Sequence, residues 1–203
     1  YKKYEYDKNG NVIKMHMPNN ASGETETYSI TEYEYNGRNM LVAVKNYNDG
    51  VVASAVQYVY DESGNKVREY TGLNALLTIN GIDDVVPNGD SEYSVEKYEY
   101  DYLGNVIKHI DALGNIETFE YDKNGNLIKC VDRKGVITTY TYDGMNRVLT
   151  KQAGNIRYSY VYDLMGNKIS VSGNNADKTM SYDGLGNMLS ETADSVIKQY
   201  TYD

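Results

Sequence analysis

The 203-residue chain sets 20 Lys and Arg against 29 Asp and Glu, and its net charge of −9, with no basic cluster, argues against a nucleic-acid partner. Its apolar surface is written in tyrosine, with 23 Tyr, one Phe and no Trp, and its 18 Gly against 2 Pro fit turns between pleated strands. The single Cys130 excludes an intrachain disulfide, no stretch reaches the roughly 20 apolar residues of a membrane-spanning helix, and no leader pattern opens the chain, which reads as soluble.

In chain order, one unit recurs. Tyr4 to Lys14 (YEYDKNGNVIK) predicts a hairpin: Tyr4 and Tyr6 share a face of the outgoing strand, Asp7, Gly10 and Asn11 form the turn, and Ile13 lies on the returning strand. A shortened copy starts at Tyr33. YVYDESGNKVR follows with Tyr58, Tyr60, Asp61 and Gly64, then YEYDYLGNVIK with Tyr98, Tyr100, Asp101 and Gly104. FEYDKNGNLIK starts at Phe119 and carries Tyr121, Asp122 and Gly125, and YTYDGMNRVLT carries Tyr140, Tyr142 and Asp143. YVYDLMGNKIS holds Tyr160, Tyr162, Asp163 and Gly166, MSYDGLGNMLS holds Tyr182, Asp183 and Gly186, and the last residues, Tyr200 to Asp203, open another copy. These tyrosines, aspartates and glycines are the residues that define the repeat.

From Tyr100 onward the second aromatic of each copy recurs at steps of 21, 21, 20, 20 and 20 residues. So regular a period means one supersecondary unit repeated. The gap of 40 between Tyr60 and Tyr100 suggests a degenerate copy with an irregular insertion at about 83–90, and the gap of 29 after Tyr6 an insertion at about 18–27. The residue between the two aromatics is polar in seven of nine copies, so one face of the outgoing strand is expected to be buried and the other wet.

In Asp7 to Asn11 the aspartate can accept a hydrogen bond from a backbone N–H two residues on, and Gly10 supplies a positive φ, so the expected loop is a type I turn closed by a bulge. Weaker turn signals follow about ten residues later, at Asp111–Asn115, Asp132–Val136 and Ala153–Asn155. The fold class is therefore all-β: a repetitive antiparallel hairpin array of about 20-residue units, spanning residues 1–203 as a single array.

The motif YxYDxxGNL at this spacing resembles the YD repeat of the Rhs family, which also occurs in wall-associated proteins, Tc toxin shell components and teneurins. The resemblance implies a curved, spiralling sheet, an open segment of a β-shell that encloses or presents a C-terminal toxin domain of a larger protein, secreted or at the bacterial cell surface. It implies a structural role without catalysis or cofactor. The family's PxxxxDPxG-type core motif is absent: the prolines, Pro18 and Pro87, stand in other contexts. Expected partners are other repeats of the parent chain, the enclosed toxin domain, and further copies paired end to end through open strand edges. Rings along the tyrosine ladder either bury against one another or stack on sugars, so the alternative role is carbohydrate-binding adhesion.

No nucleophile elbow, metalloprotease helix motif, Walker loop or paired CxxC occurs. His16 and His109 lie in corresponding strands without a nearby thiol and read as ordinary strand residues, and Cys130, two residues past Ile128, as a small buried hydrophobe. The DKNGN runs at Asp7 and Asp122 offer oxygens to a hard cation, but an EF-hand loop needs its glycine at the sixth position rather than the fourth, so turn chemistry is the better reading and no metal is expected.

Overall fold

The computed structural model describes residues 1–18, 28–48, 50–72, 93–174 and 177–202. Seventeen strands, with no helix among the described residues, fall into two compact units. The first, Tyr1–Asn115, holds β1 (Lys3–Tyr6), β2 (Val12–Pro18), β3 (Tyr28–Tyr35), β4 (Leu41–Asn48), β5 (Val51–Tyr60), β6 (Lys66–Gly72), β7 (Tyr93–Tyr100) and β8 (Val106–Ile110). The second, Ile116–Asp203, holds β9 (Ile116–Tyr121), β10 (Leu127–Val131), β11 (Ile137–Tyr142), β12 (Val148–Ala153), β13 (Ile156–Tyr162), β14 (Lys168–Ser172), β15 (Lys178–Tyr182), β16 (Met188–Ala193) and β17 (Val196–Gln199). Within each unit every strand pairs antiparallel with the next, the meander that alternating strand and turn signals require.

Every hairpin built on the repeat motif carries the same irregularity. Tyr6 faces Val12 while Glu5 faces Lys14, which leaves Ile13 as an extra residue, and Val67, Ile107, Ile128, Leu149, Ile169 and Leu189 are skipped in the same way. Of the alternate hairpins, β10–β11 and β12–β13 pair without a shift, whereas β4–β5 shifts between Asn46 and Tyr47. The aliphatic of the returning strand is thus a β-bulge residue, and bulges bend a strand and sharpen its twist.

Burial departs in part from expectation. Among the described residues only Ala43 (2% exposed) and Ala55 (1%), on β4 and β5, are fully buried apolar residues, while Tyr4 (41%) and Tyr6 (58%) are largely exposed. Because within each unit the strands form one layer, the aromatics of most copies are only half-buried, while the residue between them is exposed in eight of nine copies, as the alternation predicted.

Some strands of the first unit are longer than those of the second. β4 and β5 run to 8 and 10 residues, against 5 to 7 for most strands of the second unit. Strand β6 pairs directly with β7, and the degenerate copy expected between Tyr60 and Tyr100 would fall on 73–92, outside the described residues. The insertion expected at about 83–90, and that at about 18–27 apart from Pro18 at the end of β2, lie outside the described residues.

Candidate functional site

Two ladders run through the repeats, one along the turns and one along the tyrosines. In the first turn Asp7 Oδ1 accepts the backbone N–H of Asn9 (2.8 Å) and of Asn11 (2.9 Å), and Asp7 Oδ2 accepts from Asn11 Nδ2 (2.9 Å). The Gly10 N–H donates to the Asp7 carbonyl (3.2 Å), the Asp7 N–H donates to the Asn11 carbonyl (2.9 Å), and Gly10 has φ 85°. This is the type I turn with a glycine bulge that the sequence predicted. Asp101, Asp122, Asp163 and Asp183 repeat the full set and Asp61 repeats the bonds to its asparagine, Asn65, with Gly64, Gly104, Gly125, Gly166 and Gly186 at positive φ. At Asp143, Arg147 replaces the asparagine, its Nε donating to Asp143 Oδ2 (2.7 Å), and Asn146 takes the positive φ at 61°.

These bonds have an electrostatic consequence. The side-chain amide of the following asparagine, with the backbone N–H groups, holds the carboxyls of Asp7, Asp61, Asp101, Asp122, Asp163 and Asp183 below the ordinary aspartate range; at Asp143 the backbone N–H and guanidinium of Arg147 do the same.

Successive turns also touch. Asn39 Oδ1 accepts from Asn9 Nδ2 (3.1 Å) and Asn11 Nδ2 (2.6 Å), and Asn146 Oδ1 accepts from Asn124 Nδ2 (3.1 Å) and Asn126 Nδ2 (2.8 Å). Arg38 and Arg147 each reach forward to a carbonyl of the next turn, at Asp61 (3.1 Å) and Asp163 (3.0 Å). Between the turns of β5–β6 and β7–β8 lies an open groove of about 520 Å³, lined by Ser63, Asn65, Asp101 and the exposed Tyr102 among others.

The second ladder is made by the second tyrosine of seven copies. Its hydroxyl donates to a backbone carbonyl of the preceding repeat hairpin: Tyr35 to Val12 (3.1 Å), Tyr60 to Leu41 (2.7 Å), Tyr100 to Lys66 (2.6 Å), Tyr142 to Leu127 (2.7 Å), Tyr162 to Val148 (3.0 Å), Tyr182 to Lys168 (3.1 Å) and Tyr202 to Met188 (2.9 Å). In each case the acceptor belongs to the residue immediately before the bulged aliphatic. A bulge interrupts the strand ladder, and the tyrosine supplies a donor beside the interruption. Burial of the rings pushes the Tyr60, Tyr100, Tyr142 and Tyr162 hydroxyls above their ordinary pKa, so they remain protonated donors.

Four first-position rings are covered by cations. Lys66 Nζ lies over both Tyr58 (5.6 Å) and Tyr98 (4.9 Å), Lys151 over Tyr140 (5.8 Å) and Lys168 over Tyr160 (4.6 Å). Tyr98 also stacks on His109 (4.8 Å) and donates to Glu96 (2.8 Å), and its hydroxyl is pushed strongly upward by burial and by that carboxylate. Both histidines pair with glutamate, His16 with Glu5 (2.8 Å) and His109 with Glu96 (3.0 Å). Cys130 is half-buried.

On the wet face the residue between the aromatics meets a partner nine positions on: Glu99 with Lys108 (2.7 Å), Glu120 with Lys129 (2.6 Å), Thr141 with Thr150 and Ser181 with Ser190 (both 2.7 Å). Among the described residues no group of three or more His, Cys, Asp or Glu could hold a metal ion.

A family model described as the teneurin YD-shell matches residues 1–155 and, in a second alignment, 94–203. The chain belongs to the teneurin YD-shell family. Its fold also resembles that of a solved structure, "Crystal Structure of TcdB2-TccC3-Cdc42", at 16% identity and a TM-score of 0.52, covering 95% of this chain. "Crystal Structure of TcdB2-TccC3 without hypervariable C-terminal region" aligns over 95% of this chain at 14% identity, with a TM-score of 0.39 too low to add to the comparison. This YD-shell chain spans 12% and 13% of the length of those two chains. No curated protein matches it significantly.

Proposed function

We propose that this chain is wall: a structural YD-shell segment whose repeats extend a β-shell around the C-terminal toxin domain of a larger secreted or surface protein. One observation carries the reading. Seven second-position tyrosines each tie their own hairpin to a carbonyl of the hairpin before it, a device that propagates a sheet and leaves those hydroxyls engaged. The single array over residues 1–203, association of copies through strand edges and the absence of catalysis belong to the same proposal. In the full-length product the C-terminal domain should resist added protease until the repeats are unfolded; digestion as fast as that of the free domain would sink the enclosure.

Carbohydrate binding is a second reading, and it rests on a place other than the ladder. Tyr102 is 93% exposed beside the polar groove at the turns, whereas those seven second-position hydroxyls already have acceptors. Glycan-array binding lost in Tyr102→Ala is the expected outcome of that reading, and silence across the array removes it.

A further inference from the structure

Ten turns among the described residues share one backbone pattern, and nine of them begin with aspartate. The tenth begins with Asn36, followed by Gly37. An asparagine side-chain amide is open to attack by the backbone nitrogen of the next residue, and glycine is the least hindered successor. We propose that Asn36 is a site of spontaneous deamidation, the position at which this chain converts an amide turn into the carboxylate turn of its other repeats.

The geometry separates Asn36 from the other described Asn–Gly pairs. At Asn9–Gly10 and Asn124–Gly125 the attacking nitrogen would be that of the glycine, and it is committed to the turn, donating to the Asp7 carbonyl (3.2 Å) and the Asp122 carbonyl (3.1 Å). Both asparagines are also held by their side chains, to Asn39 (3.1 Å) and Asn146 (3.1 Å). Gly37 is exposed, and its N–H has no hydrogen bond among the described residues. Asn36 Oδ1 accepts from the backbone N–H of Arg38 (3.0 Å) and Met40 (3.0 Å), so charge developing on that oxygen during attack meets two fixed donors. Asp143–Gly144 and Asp183–Gly184 have the same local sequence pattern, but their side chains are carboxylates, kept ionised by their turn donors and therefore poor electrophiles.

The reaction balances without a co-reactant other than water. The Gly37 nitrogen, losing its proton to solvent, bonds to Asn36 Cγ; the bond from Cγ to the amide nitrogen breaks and ammonia leaves; water then opens the cyclic imide at either carbonyl. One opening yields aspartate, with the backbone unchanged. The other yields isoaspartate, which adds a methylene to the main chain of a turn whose closing bonds are Asn36 N–H to the Met40 carbonyl and Asn39 N–H to the Asn36 carbonyl (both 2.9 Å).

The test is peptide mapping by mass spectrometry of the folded chain aged in mildly alkaline buffer. The peptide containing Asn36 should convert about tenfold faster than those containing Asn9 and Asn124, which corresponds to about 1.4 kcal/mol of barrier. The Asn80–Gly81 and Asn88–Gly89 pairs, outside the described residues, are followed on their own peptides. Gly37→Ala is the clean control, since a Cβ there meets nothing within 4 Å and the backbone φ is not positive. It should keep the circular dichroism of the parent and suppress conversion at Asn36 alone. Conversion at Asn9 or Asn124 as fast as at Asn36, or no slowing in the folded Gly37→Ala chain, would overturn the proposal.

Discussion

At Gly173 the backbone leaves no room for a side chain: a Cβ would stand 2.0 Å from the carbonyl oxygen of Arg157, at a φ of 121° that L residues rarely adopt. Gly173→Ala should therefore cost about 3 kcal/mol or more, read as a fall in the denaturation midpoint. The β16–β17 turn is the opposite case. Asp194 (φ 49°) and Ser195 (φ 65°) both adopt the left-handed conformation, as a two-residue turn matched to sheet twist requires, without a glycine at either position. Ser195→Gly should stabilise the chain by about 1 kcal/mol in chemical denaturation.

At the scale of the hairpin, the hydroxyl rungs predict an asymmetry among tyrosines that look alike in sequence. Tyr162→Phe removes the donor to the Val148 carbonyl beside a bulge and should cost about 1 kcal/mol. Tyr6→Phe removes a hydroxyl that bonds to no carbonyl among the described residues, on a ring 58% exposed, and should leave the midpoint unmoved. Equal losses in the two variants would show that the rungs carry no stability.

The hairpins themselves were legible because their chemistry is local: Asp7, Gly10 and Asn11 make their bonds within five residues, and Tyr4 and Tyr6 alternate with Glu5 as a strand must. The rungs were not legible. Tyr162 and Val148 lie 14 residues apart, and nothing in the motif marks a carbonyl as the acceptor. The bulges were hidden for a related reason, since Ile13 satisfies the strand pattern and only the pairing of Tyr6 with Val12 and Glu5 with Lys14 reveals that it is skipped. The wet-face partners, by contrast, stood in plain sight as Glu99 and Lys108, Thr141 and Thr150, Ser181 and Ser190, at one constant spacing that a search limited to the motif passes over.

Across the whole molecule the turn aspartates act together. An unfolded aspartate titrates near about 3.9, and seven turn carboxyls sit lower in the fold, so as pH falls the unfolded chain takes up their protons first. The stability they contribute is fully present above about pH 4 and drains away as pH drops through the folded values. Melting temperature should thus hold nearly level from neutral to mildly acidic buffer and fall steeply below about pH 4, and Asp163→Asn should flatten part of that fall. A melting temperature that began to drop at near-neutral pH would point to groups other than these turns.

Every tyrosine rung points the same way along the chain, from a later hairpin to an earlier one. A ribosome releases the earlier hairpin first, so the acceptor carbonyl is already in place when its tyrosine emerges, and no hairpin has to wait for a hydroxyl donor that has not been synthesised. The sheet can therefore be laid down vectorially, like courses of brick, each course locked onto a finished one while the rest of the polypeptide is still in the exit tunnel.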